Sequence, residues 1–380
     1  MQKKRMLFDV NISGDWIGGI YYVRNIVFQM VNSPDIMERC VPVIVCSDDY
    51  YGLFKEFSGC AEIITYTKGS KIGRLKAVMK GIRKSDWIYR YSRYKFDPLN
   101  LLEKKAIYWI PDFQEIHYPE FFPAEEVEKR KEVSKRIAAS GRPLVLSSED
   151  SYRDFSENYD KNRKGRYIVH FVSAIEQELA AVTEEKCRET LEKYNLTGKR
   201  FVLVANQFWQ HKNHMVVFRA IAELYKKNKE SDILFVFTGA KKDYRNEEYF
   251  DNLMKIVEEN HIENLVSLLG FIDRTEQLSL MKCSEYIIQP SLFEGWGTVV
   301  EDAKVLDKTI LLSDIPIHRE QKSGKCILFE AVNPSDLACR IEEESKKQHN
   351  DSMDRGIADM KSRAREYAES MKEMIEDLSK

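Results

Sequence analysis

The strongest constraint on this chain is a rhythm of short apolar, β-branched runs separated by longer amphipathic stretches, a rhythm that starts twice. The first series holds "MLFDVNI", "VPVIVC", "AEIITYT", "WIYRY", "AIYWIP", "PLVLSS" and "RYIVHFV". The second holds "RFVLVAN", "DILFVFTG", "VSLLGF", "EYIIQP", "TILLSD" and "CILFE". A strand that is apolar almost throughout is buried on both faces, and strands separated by helices return to their sheet in parallel. Stretches such as "NHMVVFRAIAELYKK" and "SDLACRIEEESKK" carry helical periodicity between the runs. The pattern predicts an α/β protein of two doubly wound halves. A length of 380 residues also favours two domains. The change of half is expected near residues 173–199, where the charged stretch "SAIEQELAAVTEEKCRETLEKYNLTGK" precedes the strand at Arg200. The division is a first domain over 1–175 and a second over 176–356. A last long helix begins near Ser352, and its part from about 357 to 380 is assigned to the first domain.

Composition excludes several classes of function. A net charge of −2 gives no support to nucleic-acid binding, and no such partner is expected. Seven cysteines are scattered without a C-x-x-C pair, which fits free thiols in a reducing compartment and neither a disulfide framework nor a zinc site. The opening "MQKKRMLFDVNISGDW" has an apolar run too short for a signal-peptide core, and no window approaches the ~18–20 apolar residues of a spanning helix. The expectation is a cytoplasmic protein, with peripheral attachment to the inner face of a membrane left open.

In an open α/β sheet, ligands bind beyond the carboxyl ends of the strands. Three strand-to-helix turns therefore hold the candidate chemistry. In "VNISGDWIGGIYYVRNIV", Gly14, Gly18 and Gly19 fall between a strand and a helix expected near Ile20. Glycines there let backbone approach a ligand, though a tight turn without ligand has the same composition. The spacing is not G-x-G-x-x-G, so a nicotinamide cofactor is disfavoured. In "LVANQFWQHKNHMVVF", Lys212 stands at the start of a helix, where its charge opposes the dipole unless an anion is bound. The plain alternative is a solvated lysine. In "PSLFEGWGTVVEDAK", Glu294 ends a strand, the glycines flanking Trp296 make the turn, and a helix starts near Thr298. The amides of Gly297, Thr298 and Val299 would then form an anion site beside a carboxylate able to accept from sugar hydroxyls. Placed at 100° per residue, Glu301 falls opposite the apolar face and is expected in solvent, with Asp302 at the flank near Thr298.

The segment "PSLFEGWGTVVEDAKVLDKTILLSDIPIHREQ" resembles the donor-binding segment of family-four retaining glycosyltransferases, whose signature is two acids with seven residues between them, the first within "E-G-F-G". Glu294 matches the first acid, Gly295 and Gly297 the glycines, Trp296 the aromatic position and Asp302 the second acid. "ANQFWQHKNH" resembles the segment with the phosphate-binding lysine, here Lys212. "GGIYYV" resembles the N-terminal glycine loop with Gly18 and Gly19, and "WIPDFQEIHYPEFF" is similar to the segment with an acceptor-side histidine, here His117. The likeness implies the GT-B fold: two Rossmann-like domains facing a cleft, with the C-terminal helix crossing back to the first. It implies transfer of a sugar from a nucleotide diphosphate sugar to a glycan, lipid-linked or glycoprotein acceptor, with retention and without metal or other cofactor. In roles, Lys212, Asn206 and the Gly297–Val299 backbone would meet the diphosphate. Glu294 would hold a sugar hydroxyl, Asp302 the ribose, and Phe271 and Ile272 the base. Three departures stand out: Asp302, with Glu301 beside it, is one methylene shorter than the usual Glu, Gln207 replaces an arginine five residues before the lysine, and His117 is offset within a variable segment.

A second feature lies over residues 68–95, where ten basic residues meet one acid and Trp87, Tyr89, Tyr91 and Tyr94 are interleaved. Within it "KIGRLKAVMKGIRK" sets Ile72, Leu75, Val78, Met79 and Ile82 at helical spacing. Both a helix docking on anionic lipid and an ordinary sheet-covering helix fit that pattern. For the whole chain the competing readings are a sugar-nucleotide epimerase or phosphorylase on the same fold, and an accessory protein that binds nucleotide sugars without catalysis.

Overall fold

The computed structural model describes residues 3–10, 17–91, 103–229 and 232–380; Gly14, Tyr94 and Lys95 lie outside the described residues. The first seven strands are β1 (Lys4–Asp9), β2 (Cys40–Ser47), β3 (Glu62–Tyr66), β4 (Trp87–Tyr91), β5 (Ala106–Ile110), β6 (Leu144–Leu146) and β7 (Arg166–Ile168). They form one sheet in the order β3-β2-β1-β4-β5-β6-β7, parallel throughout. The next six are β8 (Arg200–Ala205), β9 (Ile233–Thr238), β10 (Val266–Gly270), β11 (Ile287–Gln289), β12 (Ile310–Ser313) and β13 (Cys326–Phe329). Their sheet runs β10-β9-β8-β11-β12-β13, again all parallel. Both sheets are doubly wound, as the double rhythm of apolar runs predicts. In the second sheet the winding reverses between β8 and β11, which meet through Leu203 and Ile287. An open α/β sheet leaves a crevice at such a point.

Burial follows from composition. In the second sheet Val202, Val204, Phe235, Phe237 and Ile288 are buried in one cluster with Val217, Phe218 and Ile221 of the helix His214–Lys227. In the first, Leu7, Val43, Val45 and Ile64 pack with Ala77 of the helix Lys71–Lys84. Gly81 lets that helix lie close to the sheet, because a Cβ there would stand 2.8 Å from Leu7 Cδ1.

The chain divides into two compact units: Met1–His117 with Ala124–Ala174 and Lys361–Lys380, and Tyr118–Pro123 with Ile175–Met360. The helix Met353–Ser379 supplies the C-terminal piece of the first unit, where Tyr167 Oη donates to Asp377 at 3.1 Å and Lys372 to Asp35 at 2.9 Å. Placing 118–123 within a first domain over 1–175 needs correction. Tyr118 stacks on Phe121 at 5.0 Å and meets Phe293 edge-on at 6.3 Å, while the Arg245 guanidinium lies 5.2 Å from the Phe122 ring. Aromatic contact made far along the chain assigns this segment to the second unit.

The ends of β8 and β9 close on each other at Gly239, whose φ is +131° and whose Cβ, if present, would stand 2.1 Å from the Asn206 carbonyl oxygen. Backbone cannot yield as a side chain can, so Gly239→Ala should destabilise by more than the about 1–3 kcal/mol typical of overpacking. Gly52→Ala, with nothing within 4 Å, is the control. Chemical denaturation with equal midpoints for the two variants would contradict this closure.

Candidate active site

The two turns at the reversal of the second sheet carry the expected lysine and glutamate, and the fold brings them into contact. After β8 the chain makes a short 3₁₀ turn, Gln210–Lys212, before the helix His214–Lys227. Lys212 Nζ lies 2.6 Å from Glu294 Oε1, in the turn that follows β11. The charge conflict expected at Lys212 is therefore met within the chain, by Glu294. The same Oε1 accepts from Ser291 Oγ at 2.7 Å and Gln289 Nε2 at 2.9 Å. Oε2 has no protein hydrogen bond among the described residues. Burial works to raise the Glu294 carboxyl, but the Lys212 charge and the hydrogen bonds outweigh it and hold the group below the ordinary carboxylate range.

Behind this pair lies a polar network. Asn206 and Gln289 exchange amide hydrogen bonds at 2.9 and 3.2 Å, so Asn206 is turned to the end of β11. Ser313 Oγ donates to the Ser291 carbonyl at 2.5 Å, and His318 Nδ1 lies 2.8 Å from the Ser313 carbonyl, which makes Nδ1 the protonated nitrogen. Burial pushes His318 down to about 4 although Glu294 pulls it up, so the ring is neutral at physiological pH. Gln207 turns away from Lys212: its Oε1 accepts from the Ala240 amide at 2.6 Å and ties the β8 turn to the β9 turn.

The helix Thr298–Val305 starts as expected, with Gly297 at its N-cap. One of the three amides expected to meet an anion is taken by a side chain. The Gly297 amide donates to Gln321 Oε1 at 3.1 Å, and Gln321 Nε2 returns a bond to the Gly297 carbonyl at 2.9 Å. The Thr298 and Val299 amides have no protein acceptor among the described residues. Both residues are partly exposed, as is Gly295, while Trp296 is buried.

Glu301 does not face solvent. It is fully buried, 2.9 Å from Lys304 Nζ and 2.9 Å from Gln321 Nε2. Placing Glu301 outward assumed one buried face, but every residue from Val300 to Val305 is buried. Asp302 is fully buried too, and both its oxygens are taken by Arg274, NH1 and NH2 each at 2.7 Å. Arg274 is the more open partner, with 18% of its side chain exposed against 0% for Asp302. It begins the helix Arg274–Cys283, just after partly buried Ile272 and Phe271, which is 62% exposed. Sequence reasoning missed Arg274, yet the signal was present: a cation in the first turn of a helix, the same conflict that singled out Lys212.

The remaining predicted residues belong to the first unit. Gly18 and Gly19 lie in the first turn of the helix Ile17–Val31, which starts ahead of Ile20. His117 ends the short helix Gln114–His117, with Nε2 2.9 Å from each oxygen of Asp154. That hydrogen bond raises the imidazole above its ordinary value against the opposing effect of burial. Among the described residues no three His, Cys, Asp or Glu side chains are grouped to hold a metal.

Residues 188–371 match the family described as Glycosyl transferases group 1. This stretch belongs to that family. HepE of Anabaena, solved with UDP and glucose, is similar over 99% of both chains at 16% identity, with a TM-score of 0.66. A UDP-forming α,α-trehalose-phosphate synthase from Burkholderia xenovorans is similar over 99% of this chain and 100% of its own, at 12% identity and a TM-score of 0.65. At such identities the likeness establishes the fold, which is GT-B. The O-antigen biosynthesis glycosyltransferase WclY of Escherichia coli is 31% identical over 86 residues, 23% of this chain and 24% of that one. The match thus spans about a quarter of that relative's length. The group 1 stretch contains Lys212, Gln289, Glu294 and the Asp302–Arg274 pair.

Two measurements test this geometry. Glu301→Ala leaves Lys304 buried without its counter-charge, and breaking a buried pair costs about 3–5 kcal/mol. A loss within about 0.5 kcal/mol in chemical denaturation, usual for exposed positions, would put Glu301 back in solvent. Asp154→Asn should lower the His117 pKa towards the ordinary histidine value, followed by NMR titration of the ring. In wild type the pair's stabilisation is complete below that ordinary value and fades as pH rises through the raised one. An unmoved His117 titration would remove Asp154 as the cause.

Proposed function

We propose that this chain is a retaining glycosyltransferase, moving a sugar from a nucleotide diphosphate sugar to an acceptor hydroxyl in surface polysaccharide or glycoconjugate synthesis. One observation carries the reading. A lysine–carboxylate pair with a free carboxylate oxygen stands at the sheet's switch point, in the same unit as two open helix amides. Lys212 and the amides of Thr298 and Val299 stabilise negative charge on the departing diphosphate, in place of a divalent metal. Glu294 shares Oε1 with Lys212 and presents Oε2 to a donor-sugar hydroxyl. Exposed Phe271 offers a stacking face for the base, and Asp302 acts on the nucleoside through Arg274. His117 is an acceptor-side residue of the first unit, and no protein nucleophile is assigned. The UDP and UDP-glucose complexes of HepE make uridine diphosphate sugars the first donors to test, and the likeness to WclY favours a polysaccharide acceptor.

One observation favours a second reading, an accessory protein that binds nucleotide sugars without catalysis. Gln207, in place of the arginine that the family resemblance implies, is committed to Ala240 and brings no charge to the diphosphate. Nucleotide release from UDP-sugars with and without candidate acceptors separates the two, since the accessory protein binds but does not turn over.

Lys212→Ala should lower turnover by about a hundred-fold or more. Because it also strands the Glu294 carboxylate, Lys212→Ala/Glu294→Gln is the companion: it removes both charges and should stay folded and inactive by circular dichroism and nucleotide release. Near-normal turnover in either folded variant would refute the role of Lys212. EDTA should leave wild-type turnover intact; full loss restored by magnesium would overturn the metal-free mechanism.

A further inference from the structure

The helix Lys71–Lys84 carries more apolar surface than its packing uses. Its inner face is small: Ala77 and Gly81 are buried, and Val78 and Ile82 pack partly buried against the cluster of Leu7, Val43 and Ile88. Ile72, Leu75 and Met79 point the other way and are 71%, 63% and 42% exposed. At 100° per residue these three fall within about 60° of one another, roughly 140° from the centre of the buried face. They form a continuous apolar stripe on the outside of the helix.

The charges around the stripe have one sign. The helix holds Lys71, Arg74, Lys76, Lys80, Arg83 and Lys84 and no acid, in a chain whose net charge is −2. Arg74 pairs with Asp9 and Lys84 with Glu62. Lys71, Lys76, Lys80 and Arg83 have no carboxylate partner among the described residues. The wheel puts Lys71 on one side of the stripe and Lys76, Lys80 and Arg83 on the other. Leu75 and Met79 share an open groove with Lys76, Lys80, Arg83 and Lys84. Exposed apolar side chains bordered by unpaired cations match the two layers of an anionic membrane surface, acyl chain and headgroup phosphate. A second copy of the same face is a poor occupant, because it would bring like charges together.

We propose that the helix Lys71–Lys84 docks on an anionic lipid bilayer, burying Ile72, Leu75 and Met79 at the headgroup boundary with Lys71, Lys76, Lys80 and Arg83 on lipid phosphates. The helix lies parallel to the surface, and no helix among the described residues is long and apolar enough to cross a membrane. The proposal does not depend on sugar transfer, so its test needs no turnover.

The experiment is flotation of the full chain with phosphatidylcholine vesicles, with and without phosphatidylglycerol, at low and high salt. Wild type should float with the anionic vesicles at least ten-fold more than with neutral ones, and raised salt should reverse this. Lys76→Glu/Lys80→Glu/Arg83→Glu and Ile72→Ser/Leu75→Ser/Met79→Ser should each cut flotation at least ten-fold. Both triples change exposed side chains, so their melting temperatures should stay near wild type. Equal flotation with neutral and anionic vesicles, or a folded triple variant that floats like wild type, would overturn the proposal. So would a wild-type dimer, seen in ultracentrifugation, that Leu75→Ser dissociates, because the stripe would then be a self-association face.

Discussion

The largely buried ion pair between Lys212 and Glu294 sets the terms for the second unit. Bringing two opposite charges out of water costs several kcal/mol per ion, recovered only when geometry is close and the remaining hydrogen-bonding capacity is met. Ser291 and Gln289 meet that need on Glu294, and each is held from behind: Gln289 by Asn206, and Ser291 by Ser313 and through it His318. The pair thus ties the ends of β8, β11 and β12 into one polar network in which each member depends on the next. Such a network is stiff, which suits the proposed role of holding a leaving group's charge without rearranging. Glu294 Oε2 has no protein hydrogen bond among the described residues, and it is the position the proposed donor-sugar hydroxyl would take.

Two departures from the family pattern, at Gln207 and Asp302, each have a partner remote in sequence. At Gln207 a cation is absent, and the amide in its place closes the β8 turn onto the β9 turn, beside the glycine that permits the close approach. At Asp302 the shorter acid is engaged by Arg274, which enters from the turn after β10. The Asp302 carboxylate is fully buried, and the arginine that takes both its oxygens is the more open partner. The β8 turn thus lacks a cation at Gln207, while the turn after β10 brings one, Arg274, to Asp302.

The fold was legible because it rests on local pattern. Apolar β-branched runs such as "VPVIVC" and "RFVLVAN" can be buried on both faces only as inner parallel strands, and their double series implies two sheets. Lys212 and Glu294 were legible because motif and helix electrostatics marked the same positions. What escaped depends on partners remote in sequence. Gln321 takes the Gly297 amide and Glu301, Arg274 takes Asp302, and Phe293 draws Tyr118 into the other unit. A helical wheel assigns faces without knowing what lies beyond them. It fails for the helix Thr298–Val305, in which every residue from Val300 onward is buried.

The helix Lys71–Lys84 shows the opposite failure of the same tool. Its apolar residues resemble one broad face in sequence, which left sheet covering and lipid docking equally open. The structure splits that face, and the small residues explain why. Packing through Ala77 and Gly81 brings the helix axis close to β1 and β2, so a narrow strip of contact suffices, with Val78 and Ile82 closing one edge. A wide inner face would have drawn Leu75 and Met79 under cover. With the contact narrow, Ile72, Leu75 and Met79 are surplus to folding, and surplus apolar surface in water is a cost unless something else covers it. Exposed single hydrophobics need no explanation, but three in a row between unpaired cations are a surface with a stated chemistry. The residues that let this helix approach its sheet are the ones that leave its outer stripe available.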